Sequence, residues 1–470
     1  MRTVIVWFRS DLRIHDHPAL VAASEADVVV PVFIFNNTLL HGKHASSNRN
    51  RFLLQSLQDL KLSLQNLGAD LVVRSGDATE ELKRLAHEVG AQDVFYTSDY
   101  SPYSVRRDAR VEKALHAQNI EARGYAGKLI VSNVNLLKTK AGTTHKIFTP
   151  FSRNWLSIVR REIAPVPTRL SFPPTVTIGE LPALSELTDG TELSPDVIPG
   201  GEREGRDKLK EFLDGPIHRY HERNNELASD ATSRLSAYFH LGCLSPLEVE
   251  DMLPNTDGAN AWRRQLCWRD FYYYVLFHYP DNAVTSFQEK YRTLKWNSDP
   301  VILQAWKDGV TGYPVVDACM RQLKAEGWMH NRGRLIVGSF LTKDLWLDWR
   351  LGETYFMNML IDGDEANNNG NWQWIASVGV DPAPVFRRLY NPTSQGKNYD
   401  PQGDYIRRYV PELAQVPTKY IFEPWTMPGD EQEKANCIIG EDYPEPMVDH
   451  KTAREFALEQ YRHASQEGAS

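Results

Sequence analysis

The chain has 470 residues, 41% of them apolar and 24% charged, with a mean hydropathy of -0.46. These values exclude a disordered or fibrous protein and imply about two to four folded domains. The 53 Lys plus Arg against 61 Asp plus Glu give a net charge of -8, which on its face argues against a nucleic-acid partner.

From the N-terminus, short apolar runs alternate with amphipathic stretches. The runs are Val4 to Phe8, Val28 to Phe35, Leu71 to Val73, Val94 to Tyr96 and Leu129 to Val131. Helical periods fall between them, over Phe52 to Leu67, Glu80 to Val89 and Val105 to Ala117. The pattern predicts an α/β domain with a doubly wound parallel sheet over 1–132. Such sheets bind ligands beyond the strand carboxyl ends, so the loops after Phe35, Ser75 and Ser98 are candidate ligand loops. Residues 133–201 read as an interdomain linker, because seven prolines fall between Pro165 and Pro199 without helical period.

An almost wholly helical domain is predicted over 202–428. Its helices are Arg206 to Leu213, Pro246 to Leu253, Ala261 to His278, Pro314 to Glu326, Arg332 to Leu341 and Thr342 to Leu360. Residues 429–470 are polar, with one helical stretch near Thr452 to Tyr461, and read as a surface extension. The cysteines at 243, 267, 319 and 437 lack CxxC spacing, so neither a disulfide framework nor a metal site is expected. The opening MRTVIVWFRSDLR reads as a strand and not a leader, and no apolar run has membrane-spanning length. A cytoplasmic monomer is the expectation.

Two segments promise chemistry. Thr232-Ser233-Arg234-Leu235-Ser236 offers hydroxyls, backbone donors and a guanidinium beside a helix start, a set suited to a pyrophosphate, though a helix cap would look the same. The run from Ile361 to Trp374 holds three acids and four asparagines between apolar segments, where bare carboxylates would be costly unless a cation or a donor-rich ligand meets them. Arg334 is a candidate partner. Nine of the 12 tryptophans lie between 261 and 410, a density that a large helical core would explain.

These residues carry a resemblance. Val6-Trp-Phe-Arg-Ser-Asp-Leu-Arg13, Phe148-Thr-Pro-Phe151, Thr232 to Ser236, Trp268-Arg-Asp-Phe271, Thr311-Gly-Tyr-Pro314, Trp328-Met-His-Asn-Arg332, Asp362-Gly-Asp364 and Asn391-Pro392 follow one another as in the photolyase and cryptochrome family. The chain is most similar to the bacterial branch acting on cyclobutane pyrimidine dimers. The resemblance implies an all-α FAD-binding domain after the α/β antenna domain, damaged DNA as partner, and a light-driven lyase reaction. In that reaction an electron passes from excited reduced FAD to a flipped-out dimer and returns after ring opening.

Carried over residue by residue, Tyr220 and Thr232, Ser233, Arg234, Leu235 and Ser236 would contact the FAD phosphates. Asp362, Gly363 and Asp364 would lie at the flavin and ribose, with Arg334 paired to Asp362. Asn368 would face flavin N5, where an amide cannot give up a proton and so favours the reduced anion. Trp372, Trp349 and Trp296 match the electron relay. Trp268 and Trp374 would stack on the lesion, Asn331 would touch both flavin and lesion, and Gln265 would meet the damaged bases. Arg269, Tyr272, Arg332, Lys397 and Arg388 complete the expected DNA contacts.

Two positions depart from the best-known dimer enzymes. Gln265 stands for a glutamate and Leu335 for a methionine, and glutamine here also suits the (6-4) photoproduct enzymes. Those enzymes, however, need histidines where this chain has Asn331 and Leu335, with His330 one residue off that face. A blue-light receptor of the cryptochrome type is the alternative from another class. For the antenna, Ser104 replaces the glutamate of folate-binding members, whereas Arg49 and Asp99 suit 8-hydroxydeazaflavin better than methenyltetrahydrofolate. The net charge is also uneven: residues 261–410 hold 18 Lys plus Arg against 16 Asp plus Glu, a net of +2. A local basic rim is therefore compatible with DNA, and a modest salt slope is expected.

Overall fold

The computed structural model describes residues 1–188 and 192–467; residues 189–191 of the predicted linker and 468–470 of the predicted extension lie outside it. Strands β1 (Thr3–Phe8), β2 (Val28–Phe35), β3 (Val72–Ser75), β4 (Asp93–Thr97) and β5 (Glu121–Tyr125) form one parallel sheet in the order β3-β2-β1-β4-β5. The first two strands are buried along their whole length, as expected of a sheet covered on both faces by helices. Helices α1 (Ser47–Asn66), α2 (Ala78–Val89) and α3 (Pro102–His116) make the three crossovers from β2 onward, and a short helix over Pro18–Ala23 lies in the one from β1 to β2. The strand order reverses between β1 and β4, which opens a crevice at their carboxyl ends beside Ser10 and Asp99.

The fifth strand differs from expectation. Leu129 to Val131 is not a strand; β5 is the half-polar Glu121–Tyr125, an exposed edge with little apolar signal. Leu129, Ile130 and Val131 are fully buried for another reason: their turn docks on the helical domain, where the Asp270 carboxylate accepts from the amides of Ile130 and Val131 at 3.1 and 3.4 Å.

The proline-rich segment is not a free spacer. Val29 and Val73 donate backbone hydrogen bonds to Ser171 and Ile178, so the segment runs against the sheet, and α4 (Phe148–Ser157) buries Phe148, Phe151 and Trp155. The helical domain follows, and its helices used below are α5 (Glu202–Asp214), α6 (Asp257–His278), α7 (Pro314–Glu326), α8 (Asn331–Ser339), α9 (Trp349–Met359) and α10 (Glu365–Ile375). The predicted helix from Thr342 to Leu360 is divided. A π turn over Phe340–Asp344 leads to Trp346 at φ 54°, and α9 starts afresh with the Asp348 carboxylate accepting from the Arg350 amide. The break lets Trp346 turn inward and donate to the Lys295 carbonyl at 2.8 Å.

The C-terminal segment is no surface extension. Tyr443 is buried and donates to Asp317 at 2.5 Å, and α11 (His450–Glu467) buries Ala453, Ala457, Tyr461 and Ala464 against the helical core. Small residues and one tyrosine at helical spacing carry that contact, so its mean polarity conceals the buried stripe. The two domains are locked by Arg13, which is buried and donates to the carbonyls of Gly242 and Gly127 at 2.9 and 3.1 Å. No helix is long and apolar enough to cross a membrane among the described residues.

Candidate active site

A cavity of about 430 Å³ opens in the helical domain, within the size range of cofactor and ligand sites. Helix α6, capped by Thr256, presents Gln265, Trp268, Arg269 and Tyr272 to it at a spacing of three and four residues, so one face forms one wall. A second wall is the loop from Thr232 to Ser236 with Tyr220. Arg234 differs within it. Held at φ 52°, its guanidinium donates to Glu326 at 2.9 Å and lies 4.5 Å over the Trp328 ring, so it braces the loop and leaves the hydroxyls and backbone to meet a phosphate.

The third wall joins α8 and α10. Arg334 donates to Asp362 Oδ2 at 2.8 Å and to the Met329 carbonyl at 2.9 Å. Asp362 Oδ1 is buried and has no partner, so the turn offers one free acceptor to whatever fills the cavity. Asp364 caps α10 by accepting from the Asn367 amide at 2.7 Å. A smaller recess of about 80 Å³ continues from this wall past Gly363, Asn368 and Trp372. Asn368 donates its amide to the Glu353 carbonyl at 2.9 Å, which turns its Oδ1 toward the recess: the group presented is an acceptor. An unpaired buried acceptor, a hydroxyl-lined loop and a recess floored by glycine fit a flavin dinucleotide.

Comparison with known proteins agrees with this geometry. The profile described as "DNA photolyase" matches residues 4–171, and that described as "FAD binding domain of DNA photolyase" matches 262–463. A deoxyribodipyrimidine photo-lyase of Streptomyces griseus is 39% identical over 97% of this chain and 98% of its own. The chain belongs to the DNA photolyase family.

Solved structures place it among photolyases and cryptochromes. A class III photolyase from Agrobacterium tumefaciens superposes with a TM-score of 0.93 at 37% identity, covering 99% of this chain and 98% of its own. A Synechocystis cryptochrome gives 0.89 at 31%, covering 98% and 99%. An archaeal photolyase from Sulfolobus tokodaii, solved with two FAD molecules, gives 0.84 at 30%, covering 98% and 100%.

Within this photolyase-family cavity, Trp268 and Trp374 both line the walls, with Asn331 and Leu335 beside them. Trp268 stacks on Phe148 at 3.6 Å with the rings 3° from parallel, and Trp374 lies under the Arg388 guanidinium at 3.9 Å. Arg388 is therefore not a phosphate contact. It is buried and donates to the carbonyls of Trp374 and Asp381, which makes it a prop for that tryptophan. Arg269 is likewise turned inward, donating to the Lys128 carbonyl at 3.0 Å. Arg332 donates to Asn225 at 2.6 Å and covers Tyr399, while Lys397 pairs with Glu423 at the surface, an exposed contact that water readily replaces. Arg264, exposed and 5.0 Å over Phe148, is a rim cation that the motifs did not single out.

His330 caps α8 by accepting from the Arg332 amide at 3.1 Å and does not line the main cavity. Burial, with Arg332, Arg334 and Arg234 nearby, lowers its pKa to about 4, so near pH 7 it is neutral and is not the imidazolium that a general acid requires.

Of the three tryptophans expected to form a relay, Trp372 borders the recess, Trp349 is fully buried and Trp296 is half-buried. The rings that touch Trp372 are Phe356 and Trp306, and those that touch Trp296 are Trp346 and Tyr461. Trp306 and Trp346 were hidden because a buried tryptophan has no sequence mark of its neighbours. Asn224, His240, Asn367 and Asn371 also line the cavity without an individual assignment from the sequence.

Arg49 is not brought together with Asp99. Its guanidinium donates to the Met357, Leu360 and His44 carbonyls, and no hydrogen bond or ion pair joins it to Asp99 among the described residues. Asp99 sits at the sheet crevice. Burial alone would raise its pKa, but Lys128, Arg9 and Arg107 hold it down at about 2.

Two expectations test this packing. A Cβ on Gly370 would clash with the Tyr272 ring, so Gly370→Ala should lower stability by about 1 to 3 kcal/mol on chemical denaturation; the overpacking outweighs the gain of about 0.5–1 kcal/mol from helix propensity. Glu353 accepts from Asn369 at 3.2 Å, and burial raises its pKa from 4.5 to about 7. The folded protein thus holds this proton more tightly than the unfolded chain. The associated stabilisation is full below pH 4.5 and is lost as pH rises toward 7. Relative to Glu353→Gln, the wild type should lose about 3 kcal/mol across that window in urea titrations.

Proposed function

We propose that the chain repairs cyclobutane pyrimidine dimers in DNA by light-driven electron transfer, using FAD bound in the helical domain. The observation that carries this reading is a single cavity walled by Trp268 and Trp374 on opposite elements, with the Arg334–Asp362 turn and Asn368 at its inner end. Bound reduced FAD would supply the photoexcited electron. The chain's own residues do the rest. The loop from Thr232 to Ser236 and Tyr220 would hold the dinucleotide, and with its amide nitrogen donating to Glu353, Asn368 would offer its oxygen as an acceptor at the recess. Trp268 and Trp374 take up the flipped bases, with stacking that helps offset a few kcal/mol of unpairing. Gln265 and Asn331 stand ready to hydrogen-bond base edges, and Trp372 at the recess, buried Trp349 and half-buried Trp296 would carry an electron inward from the surface. The preorganised polar walls replace bulk water around the developing charge.

A cyclobutane lesion is favoured over a (6-4) photoproduct because Asn331 and Leu335 supply no transferable proton and His330 is turned away and neutral. Likeness to a cryptochrome in fold leaves the receptor reading as the competitor. Light and dark incubation of the reduced protein with thymine-dimer and (6-4) oligonucleotides decides among them. Restoration of thymines in the light only is expected. Restoration of the (6-4) substrate alone, or binding without turnover, overturns the assignment.

For the second chromophore the reading is 8-hydroxydeazaflavin at the crevice between β1 and β4, supported by the half-buried Asp99 among Lys128, Arg9 and Arg107. The absorbance spectrum of protein from its native source tests it, with folate or a second FAD as the contrary outcomes. The protein is read as a cytoplasmic monomer acting on DNA.

A further inference from the structure

We propose that Arg49, although it belongs to the N-terminal domain, is a positioning residue of the flavin site: it fixes the turn Asp362-Gly363-Asp364 and adds a second positive charge beside Asp362. The inference rests on the FAD reading above.

Helix α9 ends at Met359 without a glycine cap, because Leu360 is extended at φ -72° and ψ 132°. Its last carbonyls therefore lack partners from the helix itself. Donors from the other domain supply them. Ser46 caps α1, with its hydroxyl accepting from the Arg49 amide at 3.4 Å, and the next turn delivers two side chains across the interface. Asn48 donates to the Met359 carbonyl at 2.7 Å. Arg49 donates through Nη1 to the carbonyls of Met357 and Leu360, the latter at 3.2 Å, and through Nη2 to His44. The helix C-terminus is thus capped by the partner domain, and a guanidinium also suits the negative end of the helix dipole.

The same guanidinium touches the flavin turn. The Leu360 carbonyl that receives Arg49 also accepts from the Gly363 amide at 3.3 Å. A Cβ on Gly363 would lie 2.8 Å from Arg49 Nη1, so the guanidinium packs directly on that backbone. Arg49 is half-buried at the interface and attracts the Asp362 carboxylate. Arg334 holds that carboxylate from the other side at 2.8 Å, and Asp362 Oδ1 remains free. With Asp364 of the same turn engaged in capping α10, Arg49 adds a positive charge to the one that Arg334 brings to Asp362, and a bound ring carrying negative charge is favoured more than it would be without Arg49.

Three variants separate the charge from the cap. Arg49→Met removes both, Arg49→Lys keeps a charge but loses the planar fork, and Asn48→Ala removes a neighbouring cap with no charge near Asp362. Each is read by FAD titration of the apoprotein, by the midpoint potential of the bound flavin and by the thermal midpoint of the apoprotein. The expected result for Arg49→Met is FAD affinity lower by about tenfold or more and a more negative potential. Arg49→Lys should lose affinity but keep the wild-type potential to a large degree. Asn48→Ala should lower the thermal midpoint without moving the potential. If Arg49→Met folds and retains the wild-type affinity and potential, or if Asn48→Ala shifts the potential equally, the positioning role is wrong. If Arg49→Met fails to fold, an unchanged affinity in Arg49→Lys overturns the proposal. Failure of the wild type itself to take up FAD would instead strike at the FAD reading.

Discussion

Asp362→Asn is expected to strip the protein of most of its FAD. The change keeps the shape but removes the charge that meets the Arg334 guanidinium at 2.8 Å, in a pair whose acid side chain is 2% exposed. Breaking a buried pair from one side costs about 3–5 kcal/mol, because the remaining charge stays desolvated. Arg334 is 26% exposed, which lets water meet part of that demand and favours the lower end. A loss of about 3 kcal/mol corresponds to roughly two decades in affinity. The asparagine also changes what the free Oδ1 offers, since an amide presents one acceptor atom where the carboxylate has two. Titration of the apoprotein with FAD, followed by flavin fluorescence, measures the effect. An affinity within a factor of three of wild type would show that the turn does not meet the cofactor.

Trp268→Ala and Trp374→Ala should each weaken dark binding of a thymine-dimer oligonucleotide by about 1 to 3 kcal/mol, and together by up to about 6 kcal/mol if the two are independent. Both rings are held before any ligand arrives, Trp268 against Phe148 and Trp374 under Arg388. Little side-chain entropy is then lost on binding, so most of the stacking gain is retained. Binding of undamaged DNA of the same length should change little, since it depends on phosphates and not on the cavity. Its salt dependence should also be shallow, because residues 261–410 carry a net of only +2. Equal losses on damaged and undamaged DNA would mean that the tryptophans serve the fold and not the lesion.

Much of the molecule was legible in the sequence where periodicity and motif coincide. Val4 to Phe8 and Val28 to Phe35 are strands because β-branched and aromatic runs of that length are buried on both faces. Pro314 to Glu326 is a helix with proline at its first turn and Gly327 in the left-handed conformation after it. The acid and asparagine run from 361 could be singled out because carboxylates between apolar segments demand a partner, and Arg334 is that partner. Glu121–Tyr125 was passed over because an edge strand needs no apolar face. The C-terminal helix was misjudged because alanine carries its contact with little hydrophobic weight.

The sequence alone therefore determined the first four strands, the order of an α/β and then a helical domain, the cavity's tryptophans and the acid turn, since each follows from local pattern or from a motif of fixed chemistry. What each cation does was decided only by tertiary structure. Arg234, Arg388 and Arg49 all read as ligand contacts, and each is turned instead onto protein: Glu326, the Trp374 carbonyl and the end of α9. A long guanidinium side chain goes to whichever acceptors folding leaves unpaired, and helix-end carbonyls and buried carboxylates are brought within its reach only when segments some 14 to 300 residues apart pack together.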